Sequence, residues 1–201
     1  MPRDVYEPPP PRAVSRRAFL GLGRDRARPR VVTEELLRAL EPVERVLGEG
    51  GLRLPLGAPH ELPYPDGRFE SVRSCFGAAA APLPRRMARE LVRVVRPGGE
   101  VAMTAWAPRS LPGRLDECDW GRHEVMGERL GPLLEGLELR TRSVQLRFDD
   151  VDALAAAFGV DPSLRPHFDR LVASCNNLTE GVEIDARYLI GVGRRPILSR
   201  S

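Results

Sequence analysis

The chain has 201 residues, 42% of them hydrophobic, which is long enough to bury a core without disulfide support. Its net charge of +3 is uneven, because residues 1–30 hold eight Arg against Asp4, Glu7 and Asp25 and leave the rest close to neutral. Cys75, Cys118 and Cys175 form no C-x-x-C pair and His60, His123 and His167 are dispersed, so neither a disulfide framework nor a metal site is expected.

Aromatic residues make up 5% of the chain, too few for a platform that stacks single-stranded nucleic acid. No apolar run approaches the ~20 residues that a membrane span needs. All basic residues are Arg, a composition that suits a GC-rich bacterial genome. Ser15-Arg16-Arg17-Ala18-Phe19-Leu20 is similar to a twin-arginine export signal, but charged residues follow it, and the expected location is cytoplasmic.

Residues 1–30 are rich in Pro and Arg and read as a flexible arm, with Pro8 to Pro11 extended. A domain over residues 31–195 and a tail over 196–201 follow. Leu36, Leu37, Leu40, Val43 and Leu47 recur at helical spacing over 33–47, with Thr33 as N-cap and Pro42 as a point of kinking or division. Gly48-Glu49-Gly50-Gly51 breaks that helix, and Leu52 to Leu56 fits a short edge strand limited by Pro55. Tyr64-Pro65-Asp66-Gly67 is a turn, and residues 70–76 read as a buried strand.

Residues 83–95 carry the clearest helical stripe, with Met87, Ala88, Leu91, Val92, Val94 and Val95 inward and Arg85, Arg86, Arg89, Glu90 and Arg93 outward. Pro97-Gly98-Gly99 is expected to stop it, and Glu100 to Trp106 is the next strand. Strand, helix and strand make a βαβ unit with parallel strands. Further on, residues 122–134, 151–158 and 165–176 read as helices, 137–148 as an antiparallel strand or pair of strands, and 188–193 as a final buried strand.

Three stretches carry a resemblance. Leu62-Pro63-Tyr64-Pro65-Asp66-Gly67-Arg68-Phe69-Glu70-Ser71-Val72 resembles the L-P-F-P-D-x-x-F-D-x-V stretch of class I S-adenosylmethionine-dependent methyltransferases, of the type 11 branch in particular. Glu90 to Gly99 resembles the E-x-x-R-V-L-R-P-G-G helix end of the same family, and Ala105-Trp106-Ala107-Pro108 fits one subgroup. The resemblance covers residues 57–195, more loosely in the second half. It implies an α/β fold, a doubly wound, mostly parallel sheet with an antiparallel C-terminal hairpin, and a cofactor at the carboxyl ends of the central strands.

The chain departs from that pattern in the cofactor-binding part. The family opens on a strand and a Gly-rich loop, for which Arg45 to Gly51 is the one candidate. Ten residues separate Gly51 from Leu62, too few for the strand, helix, strand and helix that the family places there, so the fold is expected to be incomplete. Ala58 follows Gly57 where the family carries an Asp for the adenine amino group. The resemblance leaves Gly57, Ala58, Ser74, Phe76 and Gly77 as candidate cofactor-binding residues and assigns no catalytic residue. Trp106 stands where it can flank a pocket or pack in the core, and Asp116, Glu117, Asp119 and Trp120 either line a cleft or form a solvated loop.

Two functions follow. One is a degenerate or partner-dependent member acting by protein interaction, as a homo-oligomer or beside a paralogous methyltransferase subunit. The other is an active enzyme that moves a methyl group from S-adenosylmethionine to a small molecule. Neither a membrane nor nucleic acid is the expected partner, since no base-reading module accompanies the Arg-rich arm.

Overall fold

The structure is a computed structural model that describes residues 34–54, 61–81, 83–111, 119–158, 160, 165–173 and 181–197. The Arg-rich arm, Thr33, Gly57, Ala58, Asp116 and Glu117 lie outside the described residues.

Helix α1 spans Glu34–Leu47 and buries Leu36, Leu40, Val43 and Leu47 on one side. Pro42 sits on its exposed side and does not divide it. Strands β1, Leu52–Leu54, and β2, Phe69–Ser74, follow. Helix α2, Pro84–Val94, opens on a proline, whose missing N–H has no partner to lose in a first turn, and buries Met87, Ala88, Leu91 and Val94.

Strand β3 runs Val95–Trp106, so Pro97-Gly98-Gly99 does not end the helix as expected. The helix ends one step earlier, where Val95 turns extended, and residues 96–99 bulge out of the strand between its pairings at Val95 and Glu100. Helix α3, His123–Leu130, strand β4, Glu135–Phe148, helices α4, Val151–Ala157, and α5, Arg165–Ala173, and strand β5, Val182–Arg194, complete the order. Asp150 caps α4 by accepting from the Ala153 N–H at 2.7 Å.

The sheet has the order β1-β2-β3-β5-β4. β1, β2 and β3 are parallel, whereas β5 runs antiparallel to both β3 and β4. This is an open α/β sheet with a parallel first half and an antiparallel end, five strands in all among the described residues. β3 is buried on both faces. Val101, Met103 and Ala105 join the core under α2 and α3, while Ala102 and Trp106 join the core under α1, α4 and α5.

Two arginines tie helix ends to strands. Arg73 on β2 donates to the Leu47 carbonyl at 2.6 Å and to the Gly50 carbonyl at 2.6 Å, holding the end of α1 and its glycine turn. Arg195 donates to the Arg93 and Val95 carbonyls at 2.8 and 2.6 Å and closes the end of α2. Both satisfy carbonyls that a helix end leaves open.

Candidate functional site

Since β1, β2 and β3 are parallel, their carboxyl ends share one edge of the sheet, where open α/β folds place ligands. Ser74, Phe76 and Gly77 stand at the end of β2, and Trp106 stands at the end of β3. β2 ends at Ser74, short of the expected strand over 70–76, so Phe76 and Gly77 lie in the turn beyond it. What occupies the place is a closed core.

Three consecutive N–H groups lie in the turn after β2, and all three have partners within the chain. Phe76 donates to the Thr104 hydroxyl oxygen at 3.1 Å, Gly77 to the Cys75 carbonyl at 2.8 Å, and Ala78 to the Ser74 hydroxyl oxygen at 2.7 Å. Backbone N–H groups are what such a turn offers an anionic or polar ligand, and these three are already engaged.

Phe76 has φ 59°, in the left-handed region that a bulky residue rarely adopts. That conformation lays its ring on Trp106, with centroids 3.9 Å apart and planes 14° from parallel. Tyr188 meets Phe76 edge-on at 6.1 Å, Phe158 meets Trp106 at 6.5 Å, and Phe148 meets Phe158 at 6.0 Å. All five rings are at most 5% exposed. Thr104 is the buried polar residue that pins the arrangement, and sequence reading passed over it. Its signal was there: a hydroxyl between two inward-facing apolar residues of a fully buried strand requires a partner.

Cys75 faces α1. Burial, reinforced by the nearby Glu44 charge, pushes its thiol up to about 12, against a pull the other way from its hydrogen bond with Thr104. At neutral pH it is a protonated thiol and no nucleophile. A cleft of about 20 Å³, open to solvent, lies beside it, lined by Glu44, Leu47, Gly48, Arg53, Leu54 and Arg73. Small-molecule sites usually measure ~300–1,000 Å³ and enclose most of their ligand.

Gly48, Gly50 and Gly51, with φ of 81, 85 and 75°, form the turn from α1 into β1. A cofactor loop runs from a strand into a helix and presents the helix N-terminus. This turn does the reverse and presents the carbonyl end of α1, so it gives no phosphate or carboxylate cradle. Asp119 and Trp120 belong to a short helical turn, Asp119–Gly121, that packs against α3. Asp119 binds Arg129 through two contacts of 2.9 Å, and the Arg129 guanidinium lies 4.7 Å above the buried Trp120 ring.

Two of the stretches that carry the family resemblance meet at a latch outside this region. Glu90 accepts the Leu62 N–H at 2.9 Å. Arg93 donates to the Tyr64 carbonyl at 2.8 Å, to Asp66 at 2.7 Å and to the Leu62 carbonyl at 3.1 Å, while its Nε holds Glu90 at 2.7 Å. Hydrogen bonding to Arg93 holds the Glu90 carboxyl below its ordinary range. The Leu-Pro-Tyr-Pro-Asp turn and the helix end are thus one structural unit.

The family model described as "Methyltransferase domain" matches residues 32–103, which run from α1 through the latch into β3. Over those residues the chain is similar to the methyltransferase domain family. A curated but uncharacterised Mycobacterium tuberculosis protein is 28% identical over 150 residues, covering 64% of this chain and 55% of that protein. The phosphatidylethanolamine N-methyltransferase of Cereibacter sphaeroides is 39% identical over 70 residues, 35% of this chain and 34% of that enzyme. The chain therefore spans about half the length, or less, of these curated relatives. Among solved structures, the YcgJ protein of Bacillus subtilis is 16% identical, with 83% of this chain and 80% of that one covered and a TM-score of 0.47.

The similarity implies S-adenosylmethionine as the cofactor to be tested against the site. The described residues do not fit it: the Phe76, Gly77 and Ala78 N–H groups already have partners, and rings fill the place above Thr104. No group of three or more His, Cys, Asp or Glu residues placed to hold a metal occurs among the described residues, and no described helix is long and apolar enough to cross a membrane.

Proposed function

We propose that this chain is a methyltransferase-fold protein that works through protein interaction, alone or beside a paralogous subunit, and does not transfer methyl groups by itself. The observation that carries the reading is the closed end of β2 and β3. Methyl transfer depends on holding a sulfonium and its acceptor in line, and holding them requires a cavity. Opening one here means separating the Phe76–Trp106 stack and freeing N–H groups that already have buried partners.

The competing reading is an active enzyme acting on a small molecule, and the local identity to a phosphatidylethanolamine N-methyltransferase favours it. Isothermal titration of the protein with S-adenosylmethionine, and separately with its demethylated product, separates the two. No heat beyond dilution at millimolar ligand is the expected result. Saturable micromolar binding of either ligand by the chain alone would establish the enzyme reading instead.

A further inference from the structure

The sheet ends on two unequal edges. β1 is three residues long and is bounded by a glycine turn, a short edge that offers little to a partner. β4 is fourteen residues long, and among the described residues no strand pairs with its outer side. Residues 140–143 of β4 are exposed without a break, so at this point neither face of the strand is covered by a helix. Its neighbours Leu189 and Ile190 on β5 are buried, which places the boundary of the packed body at β5 and leaves the middle of β4 projecting from it.

We propose that this free edge is a self-association surface, on which β4 of a second copy of the chain adds antiparallel about a two-fold axis at Leu139. A two-fold axis normal to a sheet keeps each face on its own side. Directly opposed residues must then share a face, so the axis passes a residue that meets its own copy. The charges select which one. An axis at Leu139 sets Glu138 against Arg140 of the second copy, twice over. An axis at Glu138 sets Glu138 on itself, one at Arg140 sets Arg140 on itself at the centre although Glu138 then meets Arg142, and one at Thr141 sets Arg140 against Arg142, so only the Leu139 axis pairs opposite charges with no like pair. Opposite charges directly across an antiparallel pair stabilise it, and like charges oppose it.

The apolar side agrees. Leu137 and Leu139 face the α2 and α3 side, are only partly buried, and pack at the margin of that core. In the Leu139 register the two Leu139 side chains meet, and each Leu137 lies opposite Thr141. The core of one copy is thereby continued into the core of the other. Gly136, with φ 60° beside the irregular pairing at Glu135/Glu138, lies opposite Arg142 and leaves room for it. Edges that are guarded against pairing repel a copy of themselves. The Glu138-Leu139-Arg140 run is self-complementary, and its Glu138–Arg140 pair, 2.5 Å apart within one chain, is free to exchange across the axis.

This names a partner for the interaction reading and rests on that reading only for its purpose. Its test contains no cofactor, so the two can fail separately. Sedimentation velocity over a wide dilution series is expected to show a reversible dimer of the full chain. Glu138→Arg and Arg140→Glu, singly, each place like charges across the axis and weaken the dimer by about tenfold or more, the equivalent of ~1.4 kcal/mol. The double reversal restores dimerisation. Hydrogen exchange supplies a readout that needs no variant: amides of residues 137–141 slow as protein concentration rises. A monomer at every concentration overturns the proposal. So does a dimer that ignores both single reversals, including one in which residues 1–33 already cover the edge, and so does a double reversal that rescues nothing.

Discussion

Thr104 illustrates how much one hydroxyl decides at the end of the sheet. It is fully buried, and its oxygen is the partner of the Phe76 N–H. Without that partner a buried donor is orphaned, and the left-handed backbone at Phe76 loses what fixes it. Replacing it with the near-isosteric valine is therefore expected to cost ~1–3 kcal/mol, the range for an unsatisfied buried group. A urea titration of Thr104→Val checks this, and an unchanged midpoint would show that the turn is held by the aromatic stack alone. That Ser74, Phe76 and Gly77 lie near the end of β2 was legible from the stretch that resembles the family, although the strand stops at Ser74 and not at residue 76. Their closed state was not. A phenylalanine at φ 59° leaves no mark on its neighbours in sequence, and its stacking partner is thirty residues away.

Among elements, the helices and long strands with one strong period were readable, α2 and β4 above all. What failed was punctuation. Pro97-Gly98-Gly99 reads as a stop signal, yet it forms a bulge within β3, since the pairing with β2 resumes beyond it at Glu100. The latch between α2 and the Leu62–Asp66 turn was equally invisible, although every residue of it stood in a recognised stretch, because partners 27 to 31 residues apart are joined only by folding. The latch has a pH signature. Folding lowers the pKa of Glu90, chiefly through its hydrogen bond from Arg93, so the native state keeps this proton off to lower pH than the unfolded chain does. The stabilisation is fully present above about pH 4.3, the ordinary value for Glu, and is lost as the pH falls through the lower folded value. Thermal unfolding between neutral pH and pH 3 is expected to show a flatter acid limb for Glu90→Gln than for wild type. Parallel limbs would mean that the latch contributes no linkage.

At the scale of the whole molecule, the sheet is shared by two cores, and each core holds one tryptophan. Trp106 belongs to the α1, α4 and α5 side and Trp120 to the α2 and α3 side. The two sides are not independent. Consecutive residues of β3 point alternately into one and the other, and Arg73 and Arg195 anchor a helix of each side to the strands. Losing either layer exposes a face of β3, and the strand has no polar face to turn outward. One cooperative unit follows from this, as small domains usually are. The variants Trp106→Phe and Trp120→Phe each leave a single fluorophore, on opposite sides of the sheet. The remaining tryptophan in each is expected to follow the same urea transition as the far-ultraviolet circular dichroism of that variant. If one fluorophore moved at lower urea than the dichroism, its layer would be unfolding by itself. An early Trp106 signal would further mean that the aromatic cluster can open while the sheet survives, which is the motion a cofactor would need in order to enter.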